Sequence, residues 1–226
     1  MTLLVFDKLT KEYQAIKALD NVSFAINPKD FVFIVGPSGA GKSTLLKMLI
    51  REDTPTSGTI YFENRNIFEI SHKDLPQLRR KIGVVFQDFK VLNSRTVFEN
   101  VAVALEVVDT PTHVIKEVVP NVLSLVGLLD KINSYPSMLS GGEKQRLAIA
   151  RALAHEPEVI VADEPTGMID PLASEDVMNV FEKVNSLGTT IIMSTHNQEI
   201  VNKRNKRVIR LQRGKIISDK NGGYNE

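Results

Sequence analysis

Two glycine-rich stretches of this chain stand where a helix would begin, and each has the chemistry to hold a phosphate. The first is Gly36-Pro37-Ser38-Gly39-Ala40-Gly41-Lys42-Ser43-Thr44, following the apolar run Phe31-Val32-Phe33-Ile34-Val35. It fits the pattern G-x-x-x-x-G-K-S/T between a strand and a helix. Glycine permits positive φ and close backbone approach, so the N–H groups along Gly36, Ser38, Gly39, Ala40 and Gly41 can curl round the β- and γ-phosphates of a nucleotide. Lys42 adds a mobile positive charge, and Ser43, followed by Thr44, offers a hydroxyl to Mg²⁺. The second stretch, Leu139-Ser140-Gly141-Gly142-Glu143-Lys144-Gln145, runs into the apolar-periodic segment 146–153. A helix N-terminus carries unpaired N–H groups and about half a positive charge, so Ser140, Gly141 and Gly142 form a second anion site. One nucleotide needs only one such cradle. A second makes sense if it closes over a nucleotide held by another copy of the protein.

An acidic pair supplies the next piece of chemistry. Val159-Ile160-Val161-Ala162-Asp163-Glu164 reads as an apolar strand ending in two carboxylates. In phosphate-loop proteins an aspartate at such a strand end holds the metal, which makes Asp163 the metal candidate. Neighbouring strand residues point to opposite faces, but Glu164, past the strand's end, can swing toward the phosphate and polarise the attacking water. The competing reading is an acidic strand end facing solvent. His196 follows the apolar run 189–194, and either reaches the γ-phosphate or its water, or caps the strand. Gln87, after the strand 82–86, either touches Mg²⁺ or water or is a loop residue. Tyr13 either stacks on adenine or is an ordinary strand tyrosine.

The elements that must position these groups are legible in the pattern. Leu4, Phe6 and Leu9, then Val22, Phe24 and Ile26, alternate as strands. The segment 59–62 is a strand that pairs with them, and a basic helix spans 75–81. From Asp88 to Glu158 the texture is helix after helix. Thr96 with Glu99, and Ser140 with Glu143, form capping boxes. Pro111 marks a first helical turn capped by Asp109 or Thr110, and Pro120 predicts a kink or a fresh helix start. Strand rhythm returns at 159–162 and 189–194 around a helix at 171–185, and a hairpin closes at 208–217. The polar tail 219–226 reads as loose. The fold class is therefore α/β: a phosphate-loop core with a mostly parallel sheet, an N-terminal antiparallel β subdomain and an inserted helical subdomain. Residues 1–87 and 159–226 make the core and 88–158 the helical insert.

Composition sets the limits. Hydrophobic residues are 42% and charged residues 24% of the 226, the balance of a soluble globular chain, and none is cysteine, which excludes disulfides and thiolate metal sites. The net charge of +1 gives no reason to expect nucleic acid, so the basic run Lys203-Arg204-Asn205-Lys206-Arg207 is read as a solvated helix end rather than a nucleic-acid or lipid patch. No apolar stretch reaches membrane-spanning length, so a membrane link must come through a partner.

Taken together, Gly36 to Thr44, Gln87, Leu139 to Gln145, Asp163-Glu164, Asp170 and His196 resemble the nucleotide-binding subunits of the ABC ATPase family, over essentially the whole chain. The resemblance implies ATP hydrolysis with Mg²⁺ held by Ser43, Gln87 and Asp163, in a homodimer whose subunits pack head to tail. It implies that Ser140 and Gly142 contact the γ-phosphate of the partner's ATP. It further implies that Glu164, His196, Lys42 and Gln87 act in catalysis, that Gln87 links the site to a membrane protein, and that Asp170 communicates across the dimer. Met168-Ile169 departs from the Asn-Leu common in relatives. A finer resemblance rests on Val85 to Leu92, Thr96 to Val101, Arg51-Glu52, Pro55 to Gly58 and Gly222-Gly223-Tyr224. It points to the branch of the family that serves bacterial cell division, whose ATPase sits on the cytoplasmic face of the plasma membrane at the division site. There it is bound to an integral membrane protein that controls cell-wall hydrolases. The alternative is an ATPase of a lipoprotein-release or macrolide-type exporter, where Asp88 and Lys90 are usually other residues. The cell-division resemblance implies that the segment 87–92 forms part of the groove for a helix of that membrane partner, with Phe89, Val91 or Leu92 as anchors; Phe89 can equally be subdomain core. A phosphoryl-transfer kinase shares the first motif but has no use for the second. A soluble ABC protein acting on DNA or ribosomes usually carries two cassettes or a long coiled coil.

Overall fold

The computed structural model describes residues 2–224. In chain order its elements are β1 (Leu4–Tyr13), β2 (Ile16–Ile26), β3 (Phe31–Val35), α1 (Lys42–Leu49), β4 (Ser57–Phe62), β5 (Arg65–Asn66) and α2 (Leu75–Arg80). There follow β6 (Ile82–Val85), α3 (Val97–Glu106), α4 (Thr112–Leu125), α5 (Gly141–Leu153), β7 (Val159–Asp163) and α6 (Pro171–Ser186). The chain ends through β8 (Thr190–Thr195), α7 (Gln198–Arg204), β9 (Arg207–Gln212) and β10 (Lys215–Asn221). It divides into two compact units, residues 1–79 with 190–226, and residues 80–189.

The first unit holds two sheets. In the antiparallel one, ordered β2-β1-β4-β5, β1 is flanked on both sides, with Phe6 opposite Phe24 on one neighbour and Ile60 on the other. All three are buried, and the Phe6 and Phe24 rings stack with centroids 4.2 Å apart, so a cross-strand aromatic pair fixes the register. In the other sheet β3 lies between β8 and β9, parallel to both, with β10 antiparallel on the far side of β9. Every residue of β3 is buried, as its unbroken apolar run requires of a strand covered on both faces.

In the second unit β6 and β7 pair in parallel, α5 packs against β6, and α3, α4 and α6 pack against α5. Helix α5 lies against β6 so closely that a Cβ on Gly83 would stand 2.7 Å from the Ala152 carbonyl oxygen. Both capping boxes form: Thr96 opens α3 with Glu99, and Ser140 opens α5 with Glu143.

The predicted α/β class, parallel core strands and antiparallel N-terminal sheet are all present. Four local expectations are corrected. The first two strands are longer than the alternating residues suggested, because bulges let the pairing continue past Leu9. Pro111 itself is the N-cap of α4, and neither Asp109 nor Thr110 caps it. Pro120 starts no new helix: α4 runs through it, held by the buried stripe Ile115, Val119 and Leu123 at four-residue spacing. The tail is docked up to Tyr224, since β10 continues to Asn221 and the buried Tyr224 donates its N–H to Asn202 Oδ1 at 2.7 Å. Residues 225 and 226 of that predicted tail lie outside the described residues. The basic run is likewise tied down: Arg204 is buried, and Arg207 forks onto Asp219 with bonds of 2.7 and 2.6 Å. Among the described residues no helix is long and apolar enough to cross a membrane.

Candidate functional site

In the first unit the buried strand β3 delivers the chain to a loop that only glycine can build. Gly36 has φ +151°, and a Cβ there would lie 2.2 Å from the Leu211 carbonyl oxygen. Gly41, the N-cap of α1, has φ +106°, and a Cβ there would meet the Ala18 oxygen at 2.4 Å and Leu19 Cδ2 at 2.7 Å. Both positions need left-handed backbone and leave no room for a side chain. Helix α1 opens with no side-chain cap and no acidic residue in its first turn, so its N-terminal donors and partial charge are not met by a carboxylate of its own first turn. Lys42 is buried, and its ammonium arches back over the loop, donating to the carbonyls of Gly36 at 2.9 Å and Pro37 at 3.2 Å. Ser38, Gly39 and Ser43 are exposed, Ala40 is buried, and Thr44 is half-buried.

Parallel pairing brings His196 to the same end of the sheet. Val35 lies beside Thr195, so Gly36 and His196 each leave their strands at one level. His196 is exposed, and Asn197 after it caps α7 through the Ile200 N–H. The strand β8 runs one residue further than the predicted 189–194. Tyr13, at the end of β1, is 43% exposed, and its hydroxyl donates to Asp53. That hydrogen bond is the main reason the phenol's pKa is raised, with burial and the Asp53 charge adding to it and a contact with the Thr44 side chain opposing it.

In the second unit a parallel register again aligns two predicted residues. Val85 lies beside Ala162, so Gln87 and the pair Asp163-Glu164 emerge from one end of β6 and β7. Asp163 closes the strand, and Glu164 follows with φ +50°, a left-handed residue that breaks the alternation of the strand. The Gly167 N–H bonds the Glu164 carbonyl at 3.0 Å and closes a tight turn. Gln87 rests on that turn: a Cβ on Gly167 would come within 2.7 Å of its Nε2.

The second glycine-rich start, which opens α5, lies in the same unit. Ser140 Oγ accepts the Glu143 N–H at 3.2 Å, and Glu143 Oε2 accepts the Ser140 N–H at 2.8 Å. The latter bond is the main cause that lowers the Glu143 carboxyl pKa. Gly141 and Gly142, in the first turn, have N–H groups with no intrahelical acceptor. Both glycines are needed for packing too: Cβ atoms there would stand 3.1 Å from Ile169 Cγ2 and 2.7 Å from Ala173 Cβ. Asp170 caps α6, its Oδ1 accepting the Ala173 N–H at 2.9 Å, while Met168 is 59% exposed.

The roles of three supporting side chains escaped the sequence reading. Phe89, half-buried, and Lys90 have φ of +58° and +51°, and Arg151 of α5 holds both carbonyls, at 3.1 and 2.7 Å. Gln145, also on α5, donates to the Phe86 carbonyl at 3.3 Å. The fully buried Asn100 ties down the next stretch through the carbonyls of Leu92, Arg95 and Thr96. An arginine in an otherwise apolar helix stripe was the one available signal.

A model of the ABC transporter family matches residues 19–167. The cell division ATP-binding protein FtsE of Bacillus subtilis (strain 168) is 52% identical over 208 residues, which are 92% of this chain and 91% of that protein. The methionine import ATP-binding protein MetN 1 of Bacillus thuringiensis subsp. konkukian (strain 97-27) is 40% identical over 222 residues, 96% of this chain and 66% of that protein. Among solved structures, the dimeric post-hydrolysis state of the ATP-binding cassette MJ0796 bound to ADP and Pi superposes with a TM-score of 0.84 at 33% identity, covering 97% of this chain and 98% of that one.

Proposed function

This chain belongs to the ABC transporter family and is an ATPase of that type, and on that premise we propose that it drives an FtsEX-type membrane complex through ATP-dependent pairing of two copies. The observation that carries the pairing is the pair of glycine-opened helix starts, α1 and α5, in one chain. The loop 36–44 and Lys42 hold the phosphates of one copy's ATP, with Tyr13 against the adenine. Ser140, Gly141 and Gly142 of the other copy close on its terminal phosphate.

Ser43, Asp163 and Gln87 would hold Mg²⁺ as oxygen donors. Their hydroxyl, carboxylate and amide oxygens are the donor type that a hard cation such as Mg²⁺ takes. When bound, Mg²⁺ would neutralise phosphate charge. Glu164 polarises the water that attacks the γ-phosphorus, and His196 holds the γ-phosphoryl oxygens. The P–O bond to the β-phosphate breaks, giving ADP and phosphate. Product release removes the shared ligand and lets the copies part, so the stroke is a difference in affinity between two states.

The finer assignment draws on the FtsE relative, more similar in sequence than the methionine-import one. In it, the helical segment 88–158 and the loop 87–92 dock an FtsX-like integral membrane protein at the cytoplasmic face of the plasma membrane, at the division site, where that partner controls cell-wall hydrolases. Co-expression with an FtsX-type protein is expected to give a complex that Phe89→Ala weakens while nucleotide binding stays intact. A stable complex with a lipoprotein-release or macrolide-type permease instead, and none with the FtsX type, would replace this assignment by the exporter reading.

A further inference from the structure

A tyrosine at a strand end, 43% exposed, would ordinarily sample several rotamers and lose that freedom when a base stacked on it. Here the ring is already held. Its hydroxyl donates to Asp53 Oδ2, in the turn that follows α1. Asp53 is itself fixed from two other sides: Lys11 Nζ donates to Oδ1 at 2.5 Å, and the Thr54 N–H donates to the same oxygen at 2.7 Å. Lys11 also donates to the Thr54 carbonyl at 2.7 Å, so its ammonium is anchored as well. The Lys11 and Asp53 side chains keep only 13% and 21% of their surface exposed, which distinguishes this pair from a loose surface ion pair.

The anchored ammonium lies 4.8 Å from the Tyr13 ring centroid. One face of the ring is therefore covered by a cation, and the opposite face is the one left for a planar base. The contact of the phenol with Thr44, the third residue of α1, sets this ring beside the helix that the phosphate loop opens. Burial works against the ionised form of Asp53, but the bonds from Lys11, Tyr13 and Thr54 outweigh it and keep the carboxyl below its usual range.

We propose that Asp53 is a positioning residue for the nucleotide base: through the Tyr13 hydroxyl it presents one ring face to adenine before ATP arrives, with Lys11 closing the other. This inference rests on the reading of Tyr13 as the adenine platform. Asp53 touches no part of the substrate and acts only through the ring. Without the tether the ring would be ordered by the binding event itself, and ordering one such side chain weakens binding about threefold to tenfold.

The test compares ATP with inorganic tripolyphosphate, which shares the phosphates and lacks the base, by calorimetry on the full chain. Asp53→Ala and Tyr13→Phe are each expected to weaken ATP about threefold to tenfold and to leave tripolyphosphate unchanged. The double variant is expected to match either single one, because both break the same link. Tyr13→Ala is expected to weaken ATP about tenfold or more, through loss of the stack. If Tyr13→Ala weakens ATP but Asp53→Ala and Tyr13→Phe do not, the tether is overturned and the platform stands. Equal loss for ATP and tripolyphosphate in Asp53→Ala would also overturn it, as a general disturbance of the loop. Unchanged ATP affinity in Tyr13→Ala would remove the platform itself, and the tether with it.

Discussion

Glu143 gives this account a prediction with two opposite signs. Its carboxylate completes the capping box of α5, accepting the Ser140 N–H at 2.8 Å, and it sits in the first turn of the helix. In one copy alone that charge is favourable, because a carboxylate at a helix N-terminus contributes about 0.3–1 kcal/mol. In the proposed ATP-bound pair it would face a terminal phosphate brought to the N–H groups of Gly141 and Gly142, about one helical turn (~5 Å) away. Two unit charges at that distance repel by about 0.8 kcal/mol in water and about 3 kcal/mol at the effective dielectric of a partly buried site. Taking about 1 kcal/mol for each of two sites, removing both charges should tighten the pair about thirtyfold, since 1.4 kcal/mol is a factor of ten. Glu143→Gln keeps an acceptor for the Ser140 N–H and removes only the charge. Measured by sedimentation with ATP in a Glu164→Gln background, chosen to slow hydrolysis if Glu164 polarises the water as proposed, Glu143→Gln is expected to lower the dimer dissociation constant about fivefold to thirtyfold, less at high salt. The same substitution should lower monomer stability by about 0.3–1 kcal/mol. An unchanged or weaker dimer would show that no phosphate comes to this helix start, and would refute the reasoning.

Three further outcomes follow from the packing and the charges. Gly142→Ala puts a methyl carbon 2.7 Å from Ala173 Cβ, so α5 must move from the start of α6, and denaturant melts should show a loss of about 1–3 kcal/mol; an unchanged midpoint would contradict the close approach. Arg151→Ala removes the donor to the carbonyls of Phe89 and Lys90, two left-handed residues, so hydrogen exchange across 86–92 should accelerate by the equivalent of about 1.5–3 kcal/mol while the body of α5 stays protected. Unchanged exchange there would mean the loop keeps its shape by other contacts. The carboxyls of Glu143 and Asp53 are held below their ordinary values in the folded protein. Their stabilisation is therefore present above the unfolded-state carboxylate pKa and lost as pH falls through the lower folded-state values. The midpoint of thermal unfolding should drop between about pH 5 and pH 3, and drop less in the Glu143→Gln, Asp53→Asn double variant. An identical profile in the double variant would assign the acid sensitivity to other groups.

What the sequence made legible was local. A five-residue apolar run before a glycine loop, and Ser or Thr three residues ahead of Glu, encode their own geometry, so β3, the phosphate loop and both capping boxes could be read directly. The same local logic misjudged the start of α4, which Pro111 itself caps, and of the two readings of Pro120 the fresh helix start gives way to the buried stripe Ile115, Val119 and Leu123. It misjudged the tail because Tyr224 is buried and its N–H is bonded to Asn202, a contact across 22 residues. Parallel pairing brought His196 level with Gly36, and Gln87 to the same strand ends as Asp163-Glu164, which no short-range pattern specifies. Asp53 lies 40 residues from Tyr13, and Arg151 lies 62 from Phe89, so both supporting contacts exist only once the tertiary fold brings those segments together. Neither the left-handed backbone of Glu164 nor the closure of its turn through Gly167 was legible in the sequence.

The central claim is that each ATP is completed by two copies, and complementation tests it most directly. Lys42→Ala is expected to disable the phosphate loop, and Ser140→Arg to block the opposing helix start. Each variant alone is expected to lack ATPase activity. Mixed in equal amounts, half of the pairs are mixed and each has one intact site of two, so the mixture should recover about a quarter of the native rate. A mixture that stays inactive while each variant still folds and Ser140→Arg still binds ATP, or a Ser140→Arg variant that hydrolyses ATP unaided, would contradict a shared site.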